Sequence, residues 1–250
     1  MALAGVVTNE ALRGWIGAQI GESYRALERL DGPFFLRSLP PSEHWRIFPE
    51  FRDRVAYIDI ETNGPKVEEG AIITTATLYD GTTVHHYTHG ENLRDLRDDL
   101  GAYALLITYN GKAFDLPFIE KYFQIRLPQA HIDLRLLLHS LGITGGLKGS
   151  EKQLGIDRGE LDGVDGYTAV LLWREYERTG DRRALETLLA YNSADAVNLE
   201  HLMLAAYNMK IAATPFAENL SLPYPATTPK SPFVADTAML QRIRSRRRGR

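Results

Sequence analysis

The chain has 250 residues, which is enough for one sizeable domain with extensions. With 44% hydrophobic and 24% charged residues its composition is that of a globular protein, and no apolar run is long enough to span a bilayer. The absence of cysteine excludes disulfides and thiolate metal sites and, together with an N-terminus unlike a signal peptide, leads us to expect a cytoplasmic protein with no membrane partner.

The net charge of −3 conceals an asymmetry between the body of the chain and its end. The last nine residues contain six arginines and no acidic residue. The remaining chain has 23 basic residues (29 less these six) against 32 acidic ones, a net charge of −9. General electrostatic attraction to nucleic acid is not expected of such a body. The arginine-rich end either holds a polyanion or is simply solvated.

The N-terminal part is predicted to be a lead-in to the main domain. Apolar residues at helical spacing predict a helix within residues 1–30, and residues 32–49 are rich in proline and aromatic residues. We therefore divide the chain into a lead-in at 1–50, a domain at 51–210 and a C-terminal tail at 211–250. Prolines that recur in the tail are incompatible with a regular helix and predict an extended segment.

The domain begins with strand patterns and continues with helical ones. Val55–Ile60 is a short β-rich run, and the runs 71–79 and 82–88 flank Asp80-Gly81, a strong hairpin signal. Residues 104–109 form another strand pattern. Helices are predicted at 114–123, 133–140, 166–178 and 184–207. This order predicts an α/β fold with a mixed β-sheet flanked by α-helices, its early strands antiparallel.

Asp59 and Glu61 lie two residues apart on the first strand, so their side chains share one face. Half-buried like charges are costly unless a positive group joins them, and no lysine or arginine lies between Val55 and Pro65. A hard divalent cation would resolve the conflict. The alternative is an edge strand with Asp59 exposed and Glu61 in the turn.

Two further acidic positions are unusual in the same way. Asp115 follows the strand at 104–109 and opens a helix, where it is either functional or an N-cap. Tyr191 and Asp195 are four residues apart on a helix and share a face that carries leucines. An aspartate on an apolar stripe is uncommon without a partner, although Tyr191 alone is equally well explained as a core aromatic.

Together these segments resemble the DEDD (DnaQ-like) 3′-5′ exonuclease superfamily of the ribonuclease-H-like fold. Its Asp-x-Glu motif is matched at Asp59 and Glu61, its Asn…Phe-Asp motif at Asn110 to Asp115, and its Tyr-x-x-x-Asp motif at Tyr191 to Asp195. The chain is most similar to the YprB-type ribonuclease-H-like domain, but it has Tyr191 where that subgroup often has histidine. The other similar segments are Leu39 to Trp45, His131 to Leu134 and Glu151 to Gly155.

The resemblance implies a metal-dependent 3′-5′ exonuclease that acts on single-stranded DNA or RNA. Two Mg²⁺ or Mn²⁺ ions would be held by four carboxylates, and Tyr191 would position the attacking water, since its ordinary pKa of about 10 makes it a poor base. The alternatives are a structure-selective or RNase-H-type endonuclease and a non-catalytic nucleic-acid-binding module. The metal ligands would be Asp59, Glu61, Asp115 and Asp195, and the substrate contacts Thr62, Asn63, Asn110, Lys112 and Phe114.

Overall fold

The computed structural model describes residues 9–229 and 231–248. The described part of the lead-in is mostly helical, because prolines that are excluded from helix interiors are accepted in first turns. Asn9 caps the first helix by accepting a hydrogen bond from the backbone N–H of Leu12. The helices of the lead-in are α1 (Glu10–Glu28), α2 (Gly32–Ser38), a 3-10 helix (Pro41–Ile47), α3 (Phe48–Phe51) and a 3-10 helix (Arg52–Arg54).

The described residues of the domain form one five-stranded mixed sheet, which confirms the predicted fold class. The strands lie in the order β3-β2-β1-β4-β5, so β1 is central and the edge-strand alternative for Asp59 is wrong. β1 pairs antiparallel with β2 and parallel with β4; β2 and β3 are antiparallel, and β4 and β5 are parallel. The strands are β1 (Val55–Thr62), β2 (Ile73–Tyr79), β3 (Val84–Thr88), β4 (Leu105–Thr108) and β5 (Ala130–Asp133).

The hairpin between β2 and β3 forms as its sequence predicts. The carboxylate of Asp80 accepts hydrogen bonds from the backbone N–H groups of Thr82 and Thr83, and Gly81 adopts a φ of 92° that suits glycine. Strand β5 was not predicted from the sequence, because it is only four residues long and is followed directly by a helix.

Helices pack on both faces of the sheet and enclose two apolar cores. Alternate residues of β1 point to opposite faces, so Val55 and Tyr57 pack in the core that also contains residues of α9, while Ala56, Ile58 and Ile60 pack in the core with α4 and α5. These helices are α4 (Asp95–Asp99), α5 (Asp115–Phe123), α6 (Leu134–His139), α7 (Gly146–Gln153), α8 (Gly166–Thr179) and α9 (Arg182–Ala212), with 3-10 turns at Val67–Glu69, Leu100–Ala102 and Gly159–Leu161.

The C-terminal tail is not extended over its whole length, contrary to the prediction. It forms α10 (Ala217–Leu220) and, after the last proline, α11 (Thr237–Arg248). Helix α11 packs against α8 and α9, and Arg242 bonds Glu175 at 3.0 Å. Arg242 therefore anchors the helix to the domain. Arg250 and the side chains of Arg246, Arg247 and Arg248, for which a polyanion-binding role was considered, lie outside the described residues. No described helix is both long and apolar enough to traverse a bilayer.

Candidate functional site

Three carboxylates converge between the central strand and the long helix α9. Oxygen atoms of Asp59, Glu61 and Asp195 all lie within 4.8 Å of one another. The alternation of β1 turns Asp59 and Glu61 to the face that α9 covers, and Asp195 lies on the buried side of that helix with an exposed fraction of only 4%. We call Asp59, Glu61 and Asp195 the acidic cluster. Hard oxygen donors at this spacing fit a divalent cation.

Asp115 lies beside the acidic cluster but is not part of that group of three. It is the first residue of α5, whose N-cap position is occupied by Phe114, so the N-cap alternative for Asp115 is wrong. Its Oδ1 atom accepts a hydrogen bond from the backbone N–H of Ile60 at 3.2 Å. Asp115 is thereby held against β1 at the residue between Asp59 and Glu61.

Burial and mutual repulsion disfavour the charged forms of these carboxylates. Burial, followed by the charges of Asp195 and Asp115, raises the pKa of Asp59 and that of Glu61 well above their ordinary values. Burial also raises the pKa of Asp115 to about 7. Close, buried carboxylates of this kind need a cation to remain ionised together, so the donor set and its electrostatics both fit bound metal.

Asn192 fixes the orientation of Asp59. Its amide nitrogen donates to Asp59 Oδ2 at 2.7 Å and to the Asp59 backbone carbonyl at 3.1 Å. Its carbonyl oxygen accepts from the hydroxyl of Thr77 at 2.9 Å. Because Asn192 is fully buried and uses both ends of its amide, Asp59 is held in one conformation.

A buried arginine bonds the carboxylate that α9 contributes. Arg158 donates from Nη2 to Asp195. Its Nη1 atom donates to both carboxylate oxygens of Glu151, at 2.8 Å in each case. Asn198 donates to the same Glu151 carboxylate at 2.7 Å. The Arg158 side chain is only 4% exposed, so it opposes the negative charge of the acidic cluster without screening by bulk water.

Two cations lie close to Tyr191. Lys148 donates from Nζ to the Tyr191 hydroxyl at 3.2 Å, and the Arg158 guanidinium lies 5.4 Å from the ring centre. Burial, followed by the charges of Asp195 and Glu61, raises the pKa of Tyr191, so the phenol stays protonated at neutral pH. Tyr191 therefore acts as a hydrogen-bond donor, not as a base, and its hydroxyl bonds the Asp195 carboxylate.

Asp133 organises the loop that precedes Asp115. Its two carboxylate oxygens accept from the backbone N–H groups of Asn110, at 2.8 Å, and Lys112, at 3.1 Å. Asn110 adopts a left-handed φ of 68°, and a Cβ atom on Gly111 would overlap the Thr108 side chain. This part of the loop is thus held in a single tight conformation.

Some of the residues predicted to contact substrate already form side-chain hydrogen bonds within the protein, and others do not. The hydroxyl of Thr62 donates to the Gly64 carbonyl, and the Asn63 and Asn110 side-chain oxygens accept from Ile72 and Arg135. By contrast, the exposed ammonium group of Lys112 has no partner in the described part of the chain. The ring of Phe114 is partly buried and lies 5.7 Å from that of Phe118.

Several site residues carried no sequence signal. Lys148 lies in a glycine-rich segment that predicts a flexible loop, whereas the structure forms α7 there. Arg158 follows it in an irregular stretch, and an isolated basic residue ordinarily indicates a solvated side chain. Asp133 and Glu151 lie in the segments of family resemblance but had no assigned role. Only Asn192 had a usable signal, because it lies next to Tyr191.

Comparison with known families matches the part of the chain that contains the sheet and the acidic cluster. Residues 56–207 match the family model of the RNase_H superfamily, and the chain belongs to that superfamily. A solved structure of the family B DNA polymerase from the hyperthermophilic archaeon Pyrobaculum calidifontis is similar, with 14% identity and a TM-score of 0.46 over 68% of this chain. The similarity covers only 27% of the polymerase chain. The comparison with curated proteins finds no match.

The acidic cluster, which could hold a divalent cation, lies within the residues that match this superfamily.

Proposed function

We propose that the protein is a 3′-5′ exonuclease of the tyrosine-containing DEDD type, related to the YprB-type domains. The observation that carries the proposal is the acidic cluster at the centre of the sheet, with Asp115 held against the same strand. The order of the motifs along the chain supports the exonuclease assignment, since Asp59, Glu61, Asp115, Tyr191 and Asp195 occupy the positions that the DEDD pattern requires.

The four carboxylates would hold two Mg²⁺ or Mn²⁺ ions, which when bound supply an activated water and stabilise the leaving 3′ oxygen. The protein's own groups have separate tasks. Asn192 holds Asp59 in its binding orientation. Tyr191, protonated, buried and hydrogen-bonded to Asp195, would orient the water, and Lys148 fixes the position of its hydroxyl.

The loop between β4 and α5 supplies the groups for the substrate. Lys112 is exposed and has no ion-pair partner among the described residues, so its ammonium group is available to a phosphate. Phe114 presents a partly exposed ring next to Asp115 on which the terminal base would stack. Asn110 and the β1 end at Thr62 and Asn63 would contribute through shape and backbone groups, because their side-chain oxygens or hydroxyl are already bonded.

A panel of single- and double-stranded DNA and RNA, incubated with Mg²⁺ or Mn²⁺, tests the proposal. We expect mononucleotides to be released from linear single strands by the wild type and not by D59A. A circular single strand should remain intact. Cleavage of the circle would indicate an endonuclease. Nucleic-acid binding without metal-dependent cleavage of any substrate would indicate a non-catalytic binding module.

A further inference from the structure

A second concave site lies at the edge of the sheet opposite the acidic cluster. Its lining residues Arg54, Ala104 and Gln129 directly precede β1, β4 and β5, which run parallel, so the site lies at their amino-terminal ends. The acidic cluster, in contrast, involves the second half of β1 and lies near the loop that follows β4. The cavity measures about 620 Å³, within the range of about 300–1,000 Å³ that small-molecule sites occupy.

Four arginines from separate segments converge on this cavity. Arg29 directly follows α1, Arg54 precedes β1, Arg97 lies on α4 and Arg126 lies in the loop before β5. All four are exposed, and none has a carboxylate oxygen within 4.0 Å in the described part of the chain. Among the described lining residues, Glu28 is the only acidic one. We call these arginines the arginine rim.

The arginine rim gathers positive charge on an acidic body. The chain outside its last nine residues has an excess of nine acidic residues, 32 against 23. Like charges brought together in a concavity repel one another and focus a positive potential there. An anion in the cavity would relieve that repulsion, and guanidinium groups match the geometry of phosphate.

The rest of the cavity is suited to a flat, largely apolar group. Tyr103 contributes a partly exposed ring, and the walls include Leu100, Leu127 and Pro128. A nucleotide combines the two requirements, since its base has a face that stacks on an aromatic ring and its phosphate pairs with arginine. Inorganic phosphate would use the arginine rim but not these walls.

We propose that this cavity binds a nucleotide unit, with the phosphate at the arginine rim and the base against Tyr103 and the apolar walls. The inference rests on the proposed function for its ligand class. The unit is either a free mononucleotide or part of a single strand whose 3′ end lies at the acidic cluster. A local positive site of this kind would hold a polyanion on a body that otherwise repels it.

The test uses the full chain with R97Q/R126Q, because Arg97 and Arg126 form no side-chain hydrogen bond in the described part of the chain. Arg54 is avoided, since its Nε atom donates to the Ala102 carbonyl. The matched control is R37Q/R174Q, which removes the same charge from two exposed arginines that do not line the cavity. Affinity is measured in EDTA for adenosine 5′-monophosphate and for a labelled single strand longer than about 16 nucleotides.

We expect R97Q/R126Q, and not the control, to weaken binding of one of these ligands by about tenfold or more. Loss confined to the oligonucleotide identifies a strand-binding subsite, and loss that includes the mononucleotide identifies a nucleotide site. Equal affinities in the wild type and R97Q/R126Q, equal losses in the control, or a wild type that binds neither ligand would each overturn the inference.

Cleavage assays distinguish a failure of the cavity proposal from a failure of the proposed exonuclease function. A dinucleotide is too short to reach from the acidic cluster to the opposite edge of the sheet, so R97Q/R126Q should cleave it with unchanged kcat/KM. A wild type that degrades single strands while R97Q/R126Q binds them normally would contradict only the cavity assignment. A wild type that cleaves nothing but loses binding with R97Q/R126Q would contradict only the exonuclease.

Discussion

The ammonium nitrogen of Lys148 lies 3.2 Å from the hydroxyl oxygen of Tyr191 and 4.8 Å from the centre of its ring. Lys148 donates to that oxygen, and the hydroxyl in turn donates its own proton to the carboxylate of Asp195. Burial lowers the pKa of Lys148, whereas the nearby carboxylate of Asp195 acts in the opposite direction. The pair thus places a neutral, oriented donor next to the acidic cluster.

Substitution of either partner should slow catalysis without removing metal. We expect Y191F and K148M each to lower kcat by about 10- to 100-fold, since misplacement of a positioned group has effects of that size. Calorimetry should show metal affinity close to that of the wild type in Y191F. Loss of metal affinity in Y191F would contradict its positioning role, and unchanged kcat in K148M would show that Lys148 does not orient it.

Asn192 is expected to stabilise the folded protein when no metal is bound at the acidic cluster. In N192D a further carboxylate faces Asp59 in a buried setting, which should destabilise the protein by about 1–3 kcal/mol at neutral pH. Thermal denaturation in EDTA measures this loss, and Mn²⁺ should restore part of it. The exposed N219D supplies the same change of charge as a control and should have little effect.

Arg158 and Glu151 should behave as a coupled buried pair. R158M leaves two buried carboxylates, Glu151 and Asp195, without their cation and should cost about 3–5 kcal/mol of unfolding free energy. E151M/R158M should recover only the part of that loss that is due to Glu151, because Asp195 is still left without its arginine. Urea denaturation of the single and double variants gives the coupling energy, and additive losses would show that the two side chains act independently.

His131 should make a destabilising contribution in mild acid, opposite in sign to that of the site carboxylates whose pKa values are raised. Burial lowers the pKa of His131 from its ordinary 6.5 to about 4 in the folded state. The unfolded chain therefore binds the proton first, and the contribution of neutral His131 is complete above pH 6.5 and lost as the pH falls towards about 4. The slope contributed is at most about 1.4 kcal/mol per pH unit.

H131Q should flatten that part of the stability profile. Glutamine retains a polar group for the hydroxyl of Thr108, which His131 contacts at 2.9 Å, but does not titrate. Chemical denaturation at a series of pH values compares the two proteins. Identical pH profiles would show that other groups account for the acid sensitivity.

The sequence predicted the sheet and most of the acidic residues because those signals are local. Residues two apart on a strand or four apart on a helix share a face whatever the rest of the fold. This rule predicted that Asp59 shares a face with Glu61, and Tyr191 with Asp195. The motif order then placed Asp115 near them. The mixed sheet followed from the order of strand and helix patterns, and only the short β5 lacked a pattern of its own.

The cations of the site could not be predicted in the same way. Arg158 meets Asp195 across 37 residues, and Lys148 meets Tyr191 across 43, so neither contact has a sequence period. Proline content also misled the prediction for the tail, because the short helix α10 fits between two prolines and the longer helix α11 follows the last one. These features depend on how separate elements pack, which no local pattern records.

The most direct test of the central claim follows a single strand labelled at its 5′ end during incubation with Mn²⁺. The account predicts a ladder of products that shortens one nucleotide at a time from the 3′ end. It also predicts that EDTA, D59A and D195A each abolish the ladder. Persistence of the ladder in D59A and D195A, or internal cuts in place of stepwise shortening, would contradict it.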